Sequence, residues 1–79
     1  MTTPARLDVP RFTALLRDEL GLDLTDRDLD TPFDRLAGWD SVMLLRLLGA
    51  AEPLTGRRAP MIEVLEATDL RGVHLALIR

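Results

Sequence analysis

The sequence has no cysteine, lysine, tyrosine, asparagine or glutamine, and a single serine, Ser41, among its 79 residues. Without cysteine there is no disulfide framework, no thiolate zinc site and no thiol nucleophile belonging to the chain. Any sulfur chemistry must be borrowed. No apolar run approaches the roughly 18 residues of a membrane span, and no basic stretch leads into an apolar one as in a secretory leader. These absences predict a soluble cytoplasmic protein that makes no membrane contact. All ten basic residues are arginines, thirteen acids outnumber them, and the net charge is -3. That balance excludes the clustered cations of a nucleic-acid footprint.

What is present suffices for one domain, residues 1–79. At 47% hydrophobic and 29% charged the chain is too apolar to stay disordered. A core of this size still leaves only a few kcal/mol of net stability. Charge is split along the chain. Leu7 to Asp40 holds nine acids against four arginines, and Ser41 to Arg79 holds four acids against five. The two halves therefore have different jobs.

Apolar residues at 9, 12, 15, 16 and 20 mark a helix over about 9–20. Asp8 is its cap, Pro10 fits its first turn, and Gly21 supplies a left-handed stop. Leu22 to Asp40 is rich in aspartate and broken at Thr31-Pro32 and Ala37-Gly38, so it reads as a long connection. Leu22, Leu24, Leu29, Phe33 and Leu36 are spaced to pin it to a core, and Pro32 to Leu36 can form one helical turn. Ser41 opens a second helix as its expected N-cap, and Pro53 is expected to end or kink it. Thr55 to Pro60 is a turn, and Met61 to Glu66 a short helix. Thr68 is the expected cap of a last helix with Leu70, Val73 and Leu77 as its buried stripe. On the second helix Leu44, Leu47 and Leu48 should turn inward beside Phe12, Leu15 and Leu16, leaving Val42 and Leu45 partly exposed.

Three chemical patterns fail on inspection. Asp26, Asp28 and Asp30 begin a calcium loop, but Thr31 stands where its turn needs glycine and Ala37 where a bidentate glutamate must close the shell. A serine hydrolase has only Ser41 and His74 to work with, no nucleophile elbow, and little wall for a cleft. His74 reads as a partly exposed structural histidine. Arg57-Arg58 reads as a solvated turn.

Gly38-Trp39-Asp40-Ser41-Val42 is the specific feature. It resembles the attachment site of the carrier proteins of fatty-acid, polyketide and nonribosomal-peptide synthesis, whose signature is G-x-D-S-[LIV], and Trp39 is similar to a W-D-S variant of free-standing carriers. The likeness runs from the Phe12 helix through the pinned loop and the serine helix to Thr68-Asp69-Leu70. Pro53, Arg46 and Gly49 depart from the usual pattern, and Arg46 is more like peptidyl carriers.

The resemblance implies an all-α four-helix bundle of the carrier-protein type, with a long first loop and a short third helix. It also implies 4'-phosphopantetheine carried covalently on Ser41, with Gly38, Trp39, Asp40 and Val42 as flanking motif. A phosphopantetheinyl transferase would supply the group from coenzyme A with Mg2+. Acyl- or aminoacyl-loading enzymes and a downstream synthase or transferase of polyketide or nonribosomal peptide biosynthesis would then act on the thioester. The chain itself would be a monomeric substrate of those enzymes, not an enzyme, meeting them through Val42, Leu45 and Arg46. Met1 and a short polar lead favour a free-standing protein. Trp39 is either a partner contact or an anchor for its loop. The competing reading is a non-enzymatic helical interaction module in which Ser41 is only a helix cap.

Overall fold

The computed structural model of the chain describes residues 7–56 and 58–78. Four α-helices follow in order: α1 (Val9–Leu20), α2 (Ser41–Thr55), α3 (Met61–Glu66) and α4 (Leu70–Ile78). Among the described residues there is no strand, only an isolated bridge between Pro32 and Asp69.

Both ends of α1 are closed by the residues the sequence indicates. Asp8 Oδ1 accepts the Arg11 N–H at 2.9 Å, and Gly21, at φ 72°, donates its N–H to the Arg17 carbonyl at 3.1 Å. The apolar stripe then places Phe12, Leu16 and Leu20 in the core, while Leu15 is only partly buried. A left-handed residue costs glycine little, which is why the chain can leave the helix at once.

The connection between α1 and α2 is more regular than its composition suggests. It contains two short 3-10 turns, Arg27–Asp30 and Phe33–Arg35. Leu29 and Leu36 are buried, and Leu22, Leu24 and Phe33 pack against the core. Its acids are used structurally. Arg71 of α4 donates from Nε to Asp30 Oδ1 at 2.8 Å and from Nη2 to Asp30 Oδ2 at 3.1 Å. The same Nη2 reaches Asp26 Oδ1 at 2.9 Å and the Asp26 carbonyl at 2.8 Å. These bonds hold the Asp30 carboxyl below its ordinary pKa and the Arg71 guanidinium above its own. Asp28 instead accepts from the Thr25 amide and hydroxyl at 2.9 and 3.0 Å. Among the described residues no cluster of side chains is arranged to hold a metal ion.

Pro53, expected to end or kink α2, does not end it, and the helix runs on to Thr55. The proline removes one bond to the Gly49 carbonyl, but it sits in the last turn, where little helix remains to be lost. Ala51, fully buried two residues earlier, holds that turn on the core, and Gly56 closes it with an N–H to the Glu52 carbonyl at 2.9 Å. Arg57 of the expected basic turn lies outside the described residues, and Arg58 is exposed.

At the start of α4 the capping side chain is Asp69, whose Oδ1 accepts the Gly72 N–H at 2.8 Å, not Thr68. The Thr68 carbonyl instead receives the Phe33 N–H at 3.0 Å, tying the long connection to this helix. Leu70, Val73 and Leu77 are buried as the spacing predicts, against Phe12, Leu16, Leu47 and Leu48. Leu44 departs from expectation and is only half-buried at the core edge. His74 departs further. At 4% exposure it lies inside, its Nε2 is 2.7 Å from the Leu7 carbonyl, and its ring centroid is 4.8 Å from that of Phe12. Val73 and Leu77 on its own helix draw that face inward, and the hydrogen bond to Leu7 satisfies the polar edge it carries with it.

Candidate functional site

The segment from Gly38 to Val42 is built by a sharp change of backbone direction. Gly38 adopts φ 81°, a region open to glycine, and a Cβ there would meet Leu22 Cδ2 at 3.3 Å. Trp39 then donates its N–H to the Leu36 carbonyl at 3.3 Å. Its indole stacks on Phe33, with centroids 4.9 Å apart and planes within 6°. The tryptophan is thus anchored to its loop, half-buried, with one face covered by Phe33, which the spacing marks as a core pin of the loop and not as a partner for Trp39.

Asp40 is extended (φ -154°, ψ -179°), and its Oδ1 accepts the Met43 N–H at 3.0 Å. Asp40 is therefore the N-cap of α2, and Ser41 is its first helical residue, one position inside the place expected for it. Aspartate and serine serve about equally well as caps. In a D-S pair the one that stands three residues before a free amide takes the position, and here that is Asp40. The consequence for Ser41 is chemical. Its side chain is exposed, and among the described residues its Oγ makes no hydrogen bond. The amides of Ser41 and Val42 lie within the first turn, where a helix has no carbonyl of its own to offer them, and the backbone dipoles there favour an anion. A hydroxyl left out of the fold, at an end of a 15-residue helix that tolerates negative charge, fits a phosphate ester.

His74 does not join Ser41 in a catalytic pair, because its Nε2 is committed to Leu7 inside the core. An open groove of about 270 Å³ lies between α3 and α4, lined by Glu63, Glu66, Ala67, Gly72, Leu75 and Ala76. Neither Ser41 nor His74 is among its walls. On α2 the outward residues are Val42 at 60% and Leu45 at 63% exposure, with Arg46 also exposed. Ile62 and Leu65 on α3 are as open, at 72% and 65%. A six-residue helix carries too short a period for its outer face to be read from sequence.

Four helices, a long pinned first connection, a short third helix and a solvent-facing serine opening the second define an all-α domain of the carrier-protein type. Residues 10–73 match the model of a family described as the phosphopantetheine attachment site, and the chain belongs to that family. Domains of this family are where 4'-phosphopantetheine is covalently attached, and they meet phosphopantetheinyl transferases and biosynthetic enzymes. No curated protein and no solved structure matches the chain. Among the described residues no helix is long and apolar enough to cross a membrane.

Proposed function

We propose that Ser41 Oγ is the atom that bears 4'-phosphopantetheine, and that the chain presents acyl, aminoacyl or peptidyl groups in polyketide or nonribosomal peptide biosynthesis. The observation that carries this reading is the division of labour at the start of α2. Asp40 caps the helix, so the only serine in the sequence keeps an exposed, unbonded hydroxyl. When bound, the group supplies the thiol the chain lacks, on which a cargo is held as a thioester.

The chain's own contribution is presentation. Asp40 fixes the helix end from which the serine projects, and the first-turn amides favour the ester's negative charge. Val42, Leu45 and Arg46 offer a small apolar patch with a cationic edge beside the attachment point, suited to brief encounters with successive enzymes. Catalysis then belongs to those enzymes, in keeping with a histidine buried away from the serine.

Intact mass tests the attachment. Incubation with coenzyme A, Mg2+ and a promiscuous transferase should add a single group of about 340 Da to the chain and none to Ser41→Ala. No gain with several active transferases, or equal gain in Ser41→Ala, overturns the assignment. Loading of the modified chain by candidate adenylating and acyl-transferring enzymes then identifies the cargo.

A further inference from the structure

Among the described residues the Phe33–Trp39 pair is the near-parallel ring stack, the Phe12–His74 rings being tilted by 41°. Trp39 half-buries its indole against another ring at 4.9 Å and 6°, a near-parallel contact that restricts rotation as well as position. Phe33 is itself held from behind, because its N–H is bonded to the Thr68 carbonyl at 3.0 Å and Pro32 bridges Asp69 at the start of α4. Ahead of Trp39 the chain passes through Gly38 at φ 81°, a residue with no side chain to stiffen the turn. Behind it come Asp40, the cap, and Ser41. The stack is therefore the point at which the rigid body of the domain grips the segment that carries the hydroxyl. Burial alone would be met by any large apolar side chain, whereas the coplanar rings fix how the following two residues are turned.

We infer that Phe33 is a positioning residue for modification, acting through its stack on Trp39 to set the orientation of Ser41 at the end of α2. The inference rests on Ser41 being the attachment site. In the transfer Ser41 Oγ loses its proton and bonds to the pantetheine-side phosphorus of coenzyme A, while the pyrophosphate bond breaks and 3',5'-ADP leaves. The oxygen must approach in line, and displacement of a reacting group by about 1 Å can lower a rate as much as a hundredfold. Phe33 packs against the core and is tied through its backbone to Thr68, so it acts through Trp39 and its effect should fall on turnover and not on encounter.

The experiment uses the full chain with Phe33→Leu, Trp39→Leu, the double variant and Phe33→Tyr, with coenzyme A, Mg2+ and one transferase. Initial rates of mass gain give kcat and KM for each chain as substrate, and thermal unfolding confirms that each is folded. Phe33→Leu should lower kcat about tenfold with KM within about twofold, and Phe33→Tyr, which keeps the ring, should restore it. The double variant should lose no more than the worse single, because either change already breaks the stack. Emission from Trp39, the only tryptophan, should shift in Phe33→Leu and not in Phe33→Tyr. A folded Phe33→Leu chain with wild-type kcat, a loss lying wholly in KM, or losses that multiply in the double variant overturns the inference. If Phe33→Leu is unfolded, Trp39→Leu decides alone by the same kcat criterion. Absence of mass gain in the unaltered chain is a different failure, since it removes the assignment of Ser41 itself.

Discussion

The carboxylate of Asp40 lies 3.0 Å from the Met43 amide, and the hydroxyl of Ser41, one residue on, is thereby left out of the helix's own hydrogen bonding. The cap and the proposed attachment point fall on neighbouring side chains, so stability and modification should be separable by mutation. Asp40→Ala should cost about 1 kcal/mol of stability, and Ser41→Ala no more than about 0.5 kcal/mol. Urea denaturation measures both. Equal losses would return the capping role to the serine.

Leu45 and Leu47 make a second separable pair, at 63% and 0% exposure on the same helix. Leu47→Ala should cost about 2–5 kcal/mol, a large part of the stability of a domain this small. Leu45→Ala should change stability little while slowing delivery to or from a partner enzyme. Unfolding curves paired with loading kinetics test the contrast. A Leu45→Ala chain that melts as early as Leu47→Ala, with normal loading of its folded remainder, rejects the outer face of α2 as the partner surface.

Acid should weaken the tie between α4 and the long connection. The Asp30 carboxyl is held below its ordinary value of 3.8 chiefly by its hydrogen bond from Arg71, which outweighs an opposing effect of desolvation, with the nearby positive charge of Arg71 adding least. It therefore binds its proton less readily folded than unfolded. Its contribution is complete above the ordinary carboxylate value and is lost as pH falls through the lowered one. Melting temperature recorded from pH 7 to pH 2 should fall less steeply at the acid end for Asp30→Asn than for the unaltered chain. Curves that stay parallel throughout would show that the exposed pair contributes nothing to the acid response.

His74→Leu should lower stability by about 1–3 kcal/mol, since the Leu7 carbonyl then loses its 2.7 Å partner in a buried place. Modification of the folded fraction should be unchanged. Loss of modification without loss of stability would instead give the histidine a chemical role.

The helices were legible because their signals are local. The bounds of α1 and α3 follow from an apolar period and from glycine and proline at the ends, and the buried stripe of α4 from its spacing. The family was legible too, from the five consecutive residues Gly38 to Val42 and the order of the helices around them. What escaped depended on backbone geometry or on contacts distant in sequence. Whether Asp40 or Ser41 takes the cap is decided by a backbone angle, and whether His74 faces in or out by a carbonyl far away at Leu7. The aspartates at 26 and 30 gave no hint that Arg71 would come between them. Pro53 fails to end the helix, because Ala51 two residues earlier holds the last turn on the core.

The contact between His74 and Leu7 joins positions 67 apart. Bringing them together closes a loop of nearly the entire chain, and the entropy of such a closure is large although it grows only slowly with length. Of α1's core residues, Phe12 meets α4 ring to ring at His74, so the start of α1 and the last helix are fixed at one place. The pairing of α1 with α2 should thus form first, and the clasp between His74 and Leu7 should close last, over a core already begun.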